Sequence, residues 1–264
     1  MKIAVAGLGL IGGSLYKAAV AAGHDVTGLH HGDVAGLEGS DVVFAAMPPD
    51  AIVPWIVRNS ASFRKGAVVI DVCGVKRPVM AAMAGVPKDG WLFVGGHPMA
   101  GKEKGGYENS SADLFRGASM ILTPPEGTPA ETIESLKVLF ASLGFAMTVV
   151  TTPERHDAMI AFTSQLCHII ASAYARDERV SDAIGFSAGS YANMTRIATM
   201  DPETWSSLFL SDADGLLEVL DGFIARLGEY RDAIAARDEN RLKALILAGA
   251  DAKRRELKAR EGSA

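Results

Sequence analysis

The sequence has little cysteine, no excess of positive charge and no leader-like N-terminus. Cys73 and Cys167 are the only cysteines in 264 residues, so no disulfide framework is expected and a reducing cytoplasm suits the chain. Lys and Arg number 26 against 31 Asp and Glu, which argues against a nucleic-acid partner. The N-terminus has no long apolar core followed by a cleavage site. These absences favour a cytoplasmic protein that acts on a small molecule.

One uncharged stretch, Ala158–Ala175, is long enough to raise the question of a membrane span. Polar groups interrupt it and are costly in lipid, whereas a protein interior can pair them. They are Thr163, Ser164, Gln165, His168 and Ser172. We therefore expect a buried helix in a bundle and no membrane partner.

Residues 1–152 alternate short apolar runs with helical stretches that glycines punctuate. The expected strands are Lys2–Ala6, Asp25–Leu29, Asp41–Ala46, Ala67–Asp71, Trp91–Val94, Ser119–Thr123 and Met147–Val150. The expected helices include Ser14–Ala22, Ala51–Ser60 and Glu131–Leu143. This alternation predicts an α/β fold with a Rossmann-type, doubly wound, mostly parallel sheet.

After Pro153 almost every segment has helical spacing. Apolar residues step by threes and fours along one face, and a charged amphipathic helix follows over Arg241–Lys258. The apolar positions are Leu216, Leu220, Phe223, Leu227, Tyr230 and Ile234. The sequence therefore predicts two domains, an α/β domain over 1–152 and an all-helical domain over 153–264.

A glycine-rich loop, Gly7-Leu8-Gly9-Leu10-Ile11-Gly12, follows the first strand and opens a helix. In such a loop the first glycine permits a tight turn, the second admits a pyrophosphate and the third allows close helix packing. The helix N-terminus supplies free N–H groups for phosphates. The context of strand and helix predicts dinucleotide binding rather than a purely structural turn.

The second strand does not end in the acidic residue that would bind a free ribose hydroxyl. It ends in His30 and His31, and Asp33 lies a few residues later. Histidines can donate hydrogen bonds to a 2′-phosphate, which favours NADP slightly over NAD. In the alternative, the histidines are loop residues and Asp33 binds the ribose. The short connection from His30 to Asp41 indicates that the helix and strand often found here are trimmed to a loop.

His97 lies between paired glycines and Pro98, just beyond the expected strand Trp91–Val94. The carboxyl end of a parallel strand faces the ligand crevice. A histidine there can serve as a general base near neutral pH. We predict that His97 is catalytic, although a lone histidine can also be structural.

Arg196 is the only charged residue between Ala183 and Met200. A guanidinium keeps its charge and in apolar surroundings needs an anion. That anion can be a protein carboxylate, such as Asp201 or Glu203, or a carboxylate of the substrate. Trp205 follows nine residues later and can wall a pocket for a flat ring.

Gln165 and His168 are three residues apart on the uncharged helix and therefore share a face. A buried histidine and amide can line a pocket, or they can be satisfied within the core. Cys73, close to a strand end, can touch the cofactor, while Cys167 is expected in the core; nothing in the sequence marks either thiol as reactive.

Taken in order, these motifs resemble the prephenate and arogenate dehydrogenases of tyrosine biosynthesis. The likeness runs over about residues 1–215. Its blocks are Gly7 to Leu15, Asp71 to Lys76, Gly96 to Gly105, Asp113-Leu114-Phe115, His156-Asp157, Ser164 to His168, Thr195 to Ala198, Asp201-Pro202 and Trp205. The histidine–proline–glycine block and the arginine block are specific, whereas the glycine loop alone is not.

The resemblance implies oxidative decarboxylation of a cyclohexadienol by NAD or NADP. His97 would accept or polarise the hydroxyl proton, Arg196 would hold a substrate carboxylate and His168 would line the pocket. Glu103 and Lys104 would lie at its mouth. The family also implies a homodimer formed through the helical domain.

Further contacts complete the expected site. The cofactor side would add Met47, Pro48, Cys73 and Gly74, the substrate side would add Gln165 and Trp205, and no metal is expected.

Three positions depart from the commonest pattern of the family. Gly74 stands where many members carry a serine that touches substrate and cofactor, Gln165 where many have a histidine, and Asp212 where asparagine is frequent. A carboxylate close to the substrate would favour the ammonium of arogenate over the keto group of prephenate. Prephenate is our narrow choice. The alternatives are arogenate, a hydroxyacid or imine reductase, and a regulatory protein that senses NADP.

Overall fold

A computed structural model describes residues 1–30, 33–102 and 104–261. The strands are β1 (Lys2–Ala6), β2 (Asp25–Leu29), β3 (Val42–Ala45), β4 (Val68–Asp71), β5 (Leu92–Pro98), β6 (Ser119–Thr123) and β7 (Met147–Val150). The helices are α1 (Leu10–Ala21), α2 (Pro49–Asn59), α3 (Arg77–Ala84), α4 (Ala130–Ser142), α5 (Pro153–Ile160), α6 (Leu166–Ala175), α7 (Gly189–Thr195), α8 (Pro202–Ser211), α9 (Ala213–Ala235) and α10 (Glu239–Glu261).

The seven strands form one sheet in the order β2-β1-β3-β4-β5-β6-β7. Strands β1 to β5 are parallel, β6 runs antiparallel to β5, and β7 is parallel to β6. The helices after the sheet begin at Pro153. The predicted α/β fold, with a mostly parallel sheet followed by helices, is confirmed.

Apolar side chains cover both faces of the sheet, as a doubly wound fold requires. Ile3 and Val5 of β1 join a core cluster that α1 and α4 cover. Ala4 and Ala6 point to the opposite face and join a second cluster beneath α2 and α3. This period of two explains why the strands read as unbroken apolar runs.

Strand β1 is flanked by both β2 and β3, so the chain changes direction across the sheet beside it. The connection from β2 to β3 carries only the short 3-10 turn Leu37–Gly39 in its described residues, as the expected trimming requires. In open α/β sheets, ligands bind at such a switch point, outside the carboxyl ends of the strands. The loops after β1 and β3 therefore border the expected nucleotide site.

The fifth strand is longer than we expected from the sequence. His97 lies inside β5 and pairs with Ile121 of the antiparallel β6, whereas the sequence placed it just beyond a strand ending at Val94. The glycines read as a loop are needed for close packing: a β-carbon at Gly95 would lie 2.2 Å from Oγ1 of Thr123, and one at Gly96 would lie 2.7 Å from the carbonyl oxygen of Asp71.

The helix from Pro153 to Ala175 contains a π-helical segment at Ala161–Gln165. Within the described residues it has the length and composition to cross a membrane, which is weak evidence because core helices of soluble proteins share both properties. The expectation of a buried helix is only partly right. Ile160 and Gln165 are buried, but Phe162 is 53% exposed. Cys167, which was expected in the core, is also exposed, so that expectation is wrong.

The chain forms two compact units, Met1–Leu216 and Leu217–Ala264. The second unit consists of the rest of α9 and of α10, with a turn at Arg237, whose φ is 53°. The predicted apolar face from Leu216 to Ile234 lies on α9, and the predicted charged helix over Arg241–Lys258 lies within α10. The domain boundary at 152/153, which follows the change in secondary structure, stays a prediction.

The glycine loop needs two of its glycines for backbone reasons. Gly7 has φ of +89°, and a β-carbon there would lie 2.2 Å from the carbonyl oxygen of Ala46. A β-carbon at Gly12 would lie 1.9 Å from the carbonyl oxygen of Gly7. Gly9 differs, because a β-carbon there would meet nothing within 4 Å. The first and third glycines are therefore required by the fold, while the second leaves open space above the helix.

We predict that Gly12→Ala and Gly9→Ala have different effects on stability. Gly12→Ala forces α1 away from the loop and should lower the free energy of unfolding by about 1–3 kcal/mol, as overpacking does. Gly9→Ala should leave it unchanged, because its methyl group enters open space. Chemical denaturation of both variants checks this, and equal losses would contradict the assignment.

Candidate active site

A cavity of about 570 Å³ opens at the carboxyl edge of the sheet in the first unit. Its walls come from the glycine loop, the loops after β4 and β5, α6 and the segment around α8. It brings together eight of the residues predicted from the sequence. They are Leu10, Ile11, Gly74, His97, Gln165, His168, Arg196 and Trp205.

His97 lies at the floor of this cavity. Its Nδ1 is 2.9 Å from Nε2 of His156. A β-carbon at Gly74, also on the cavity wall, would lie 3.9 Å from both Cε1 and Nε2 of His97, so the ring edge that carries Nε2 lies toward Gly74. Among the described residues no hydrogen bond is made to Nε2, and a substrate hydroxyl can therefore approach it.

Behind His97 lies a buried pair that the sequence did not mark as functional. His156 and Asp157 are each 1% exposed, and Nδ1 of His156 lies 2.6 Å from Oδ1 of Asp157. Asp157 also accepts the backbone N–H groups of Lys76, at 2.7 Å, and Arg77, at 2.8 Å. His156-Asp157 entered only as a block of family resemblance, because nothing in the spacing shows that His156 meets His97.

The environment keeps His97 neutral and Asp157 charged. Burial holds the pKa of His97 well below its usual range, and the charge of the buried Lys76 lowers it further. Burial alone would raise the pKa of Asp157, but the hydrogen bonds from His156 and from the backbone of Arg77 and Lys76 outweigh it and lower the pKa. A neutral imidazole is therefore backed by an anchored carboxylate.

A second buried ion pair lies below the loop after β4. Asp71 and Lys76 are both fully buried and in contact, and Oδ2 of Asp71 also accepts the backbone N–H of Cys73 at 3.2 Å. The thiol of Cys73 contacts Asp71 and the carbonyl oxygen of Val75, and burial raises its pKa to about 12. Cys73 therefore stays protonated and faces the interior, which leaves only its backbone near the expected cofactor.

His168 and Trp205 also line the cavity, and their rings stack with centroids 3.7 Å apart. Nδ1 of His168 lies 2.9 Å from the carbonyl oxygen of Ser164, so its Nε2 is the acceptor when the ring is neutral. Burial lowers the pKa of His168, and the Arg196 charge lowers it further. Gln165 is buried, and its Oε1 has no hydrogen-bond partner among the described residues.

Among the described residues, three charged side chains complete the walls: Lys102, Arg196 and Asp201. Arg196 is exposed, so the apolar surroundings inferred from the sequence are wrong at this position. Hydrogen bonds from the side chain and backbone of Thr204 lower the pKa of Asp201. Sequence reasoning missed Lys102 and named Lys104 instead, which is exposed and is not among the described residues lining the cavity. Glu103, also predicted, lies outside the described residues.

The nucleotide side of the crevice fits a dinucleotide. Gly9 precedes α1, whose first N–H groups have no partners within the helix. The open space above Gly9 is the room that a pyrophosphate requires. Leu8 packs against Gly28 of β2, while Leu10 and Ile11 reach the substrate cavity.

Other predicted cofactor residues lie around the same edge of the sheet. Met47 packs on the core after β3, and Pro48 precedes α2. His30 is exposed at the end of β2, and its backbone N–H donates to the Asp33 carboxylate at 3.0 Å. His31 lies outside the described residues. The carboxylate of Asp33, the alternative ribose ligand in the sequence analysis, therefore lies at the end of β2.

Asp212 is not among the described residues that line the cavity. It is buried and bound to the guanidinium of Arg77, which also lies 3.6 Å from Asp157. Burial raises the pKa of Asp212, although Arg77 opposes this. Its carboxylate therefore forms an ion pair with Arg77 inside the fold.

Comparison with known proteins agrees with this arrangement. The family model for the nucleotide-binding domain of prephenate dehydrogenase matches residues 14–149, and the model for its dimerization domain matches residues 152–247. Cyclohexadienyl dehydrogenase of Zymomonas mobilis is 32% identical, over 89% of each chain. Prephenate dehydrogenase of Bacillus subtilis is 28% identical, over 91% of this chain and 72% of its own length.

A solved structure has the same fold over nearly the whole chain. Prephenate dehydrogenase of Aquifex aeolicus, in complex with hydroxyphenyl propionate and NAD+, superposes with a TM-score of 0.80 and 25% identity, covering 97% of this chain and 98% of that one. The resemblance found in the motifs is confirmed by both domain models and by the relatives. The chain belongs to the prephenate dehydrogenase family of NAD(P)-dependent dehydrogenases.

Proposed function

We propose that the chain oxidises and decarboxylates prephenate to 4-hydroxyphenylpyruvate in tyrosine biosynthesis. The observation that carries this proposal is one cavity that His97 lines together with Lys102, Arg196 and the stacked rings of His168 and Trp205, next to the glycine loop. NAD or NADP, held at that loop, would supply the hydride acceptor. We expect the enzyme to act in the cytoplasm.

The residues of the chain have separable roles in this reaction. Nε2 of His97 takes the proton of the ring hydroxyl, for which its neutral state is suited. Lys102 and Arg196 pair with the two carboxylates of prephenate. Trp205 and His168 border the ring, and the unpartnered amide oxygen of Gln165 offers an acceptor to the substrate. Loss of carbon dioxide yields an aromatic product, which makes the step irreversible.

Charge in the cavity supports prephenate over arogenate. Prephenate is a dianion, and two cations line the cavity. The carboxylate of Asp212, which would favour an ammonium if it lay close, is instead bound to Arg77. One observation favours arogenate as the second candidate: Asp201 is on the wall and stays ionised, so it can accept an ammonium.

Assays that combine each substrate with each cofactor test the proposal. We expect prephenate to have the higher kcat/KM. In Asp201→Asn the KM for prephenate should fall, by up to about fivefold, because one like charge leaves the surface of the site. Asparagine still caps α8, so the fold should be kept. The measurement is initial-rate formation of reduced cofactor.

Glu203→Gln is the matched control, since Glu203 lies in the first turn of the same helix and is not among the described lining residues. It should leave both KM values unchanged. If the wild type prefers arogenate and Asp201→Asn loses that preference, the substrate is arogenate instead of prephenate. Turnover of neither substrate would refute the proposed function.

The slight preference for NADP remains a proposal, and one contact counts against it. The carboxylate of Asp33 sits at the end of β2, where it would repel a 2′-phosphate and bind a ribose hydroxyl. His30 beside it remains a donor for a phosphate. The choice of cofactor therefore depends on which of these two side chains meets the ribose.

Asp33→Asn separates the two possibilities. If the carboxylate meets the ribose, the ratio of kcat/KM for NADP to that for NAD should rise about tenfold, or by about 1.4 kcal/mol. His30→Asn should lower the same ratio if the imidazole binds the phosphate. An unchanged ratio in both variants would exclude both residues as determinants of cofactor choice.

The pH profile tests the role of His97. Because its pKa is lowered and the base acts when neutral, kcat/KM should persist as the pH falls through about 6.5, where an ordinary histidine would become protonated. His97→Asn should reduce turnover by about 10²–10⁴ while binding is kept. Loss of activity near pH 6.5 in the wild type, or near-normal turnover in the variant, would contradict this role.

We also propose a homodimer formed through the helical part of the chain. The matched dimerization model over residues 152–247 supports it. Apolar side chains in that part are exposed in the single chain. They include Phe162, Phe186, Leu210 and Ile184. Association of two copies would remove such surface from water.

A further inference from the structure

The residues behind His97 form a continuous hydrogen-bonded row. His97 Nδ1 lies 2.9 Å from His156 Nε2, and His156 Nδ1 lies 2.6 Å from Asp157 Oδ1. The side chains of His156 and Asp157 are fully buried, so water does not supply alternative partners. In each hydrogen bond of this row, the neighbouring groups therefore decide which atom donates the proton and which accepts it.

Asp157 fixes the first donor and acceptor of the row. Its two carboxylate oxygens accept the backbone N–H groups of Lys76 and Arg77, which cannot reverse their polarity. Those bonds and the one from His156 lower the pKa of Asp157, so it is an acceptor only. Nδ1 of His156 must then carry a proton and donate it. In a neutral His156 this leaves Nε2 as an acceptor.

The same rule applies to His97. Its Nδ1 faces the acceptor Nε2 of His156 and must donate. Its own Nε2, on the side of Gly74 and the cavity, is then unprotonated. We propose that His156, held by Asp157, is a positioning residue that selects the tautomer of His97 in which Nε2 is the base.

Gly74 increases this dependence. Gly74 lies beside the ring of His97 but has no side chain that could hydrogen-bond to it. His156 is then the described side chain that hydrogen-bonds the ring of His97. When Nε2 takes the substrate proton, the imidazolium formed donates from Nδ1 to His156, whose far side is already held by Asp157.

The proposal rests on the proposed base role of His97, but its first test needs no turnover. Histidine labelled with 15N in the wild-type protein, with the cofactor bound, reports which ring nitrogens carry protons. His97→Asn and His156→Gln assign the signals. We expect protonated Nδ1 and unprotonated Nε2 on His97. Protonated Nε2 on His97 would overturn the proposal, because His156 would then be the donor.

Two substitutions at His156 form the kinetic test. The amide of His156→Gln can still accept from His97 and donate to Asp157, while His156→Leu can do neither. We expect kcat to fall about a hundredfold in His156→Leu, as for a misplaced catalytic group, with KM little changed. His156→Gln should recover most of the loss. Equal losses in both, or none in His156→Leu, would overturn the proposal.

Asn59→Ala is the control for replacing a buried polar residue outside the row. Asn59 lies in α2 and its side chain donates to the carbonyl oxygen of Trp55, with no contact to His97, His156 or Asp157 in the described hydrogen bonds, so kcat and the tautomer of His97 should not change. A changed tautomer in this control would overturn the assignment to His156. If His156→Leu does not fold, the wild-type spectrum and His156→Gln still decide. Inactivity of the wild type on both substrates refutes the proposed function alone, since the spectrum is independent of it.

Discussion

The carboxylate of Asp157 is the contact on which the arrangement of the site depends. Helix α3 has no side-chain cap of its own at Lys76, and Asp157, from a helix 80 residues further along the chain, accepts the N–H groups of Lys76 and Arg77 in its place. A cap of this kind is worth about 1 kcal/mol. Here it also ties α5 to the loop after β4. One carboxylate therefore fixes the distance between the two chain segments that form the floor of the cavity.

Much of the α/β part was predictable because its central strands are buried on both faces. The apolar runs Lys2–Ala6 and Ser119–Thr123 have the same bounds in the structure. Helix α1 was expected to start at Ser14 but starts at Leu10, since Gly12 reads as a helix breaker while close packing requires it within the helix. The same reason explains β5, where Gly95 and Gly96 continue a strand because their neighbours leave no room for a β-carbon.

The part of the site that single elements predict is the shared helical face of Gln165 and His168. Both residues line one cavity with His97, near the carboxyl end of β5, and with Arg196. The pairing of His97 with His156 was not predictable, because it depends on how α5 packs against the sheet. Periodicity describes one element at a time, whereas such a contact joins two elements that are distant in sequence. Lys102 and Lys104 show the same limit, since the loop geometry decides which lysine lines the cavity.

One buried ion pair, Asp71–Lys76, flanks Gly74 in the sequence, and a second buried pair, His156–Asp157, contacts His97. Buried ion pairs repay their desolvation poorly, and apolar replacements are often as stable. Asp71 and Lys76, however, also order the loop after β4 through the N–H groups of Cys73 and Gly96. This loop carries Gly74 into the cavity beside His97, and the Lys76 charge helps to keep His97 neutral. Burying these charges thus gives the loop a fixed backbone and places a fixed charge near the His97 ring, which an apolar core would not provide.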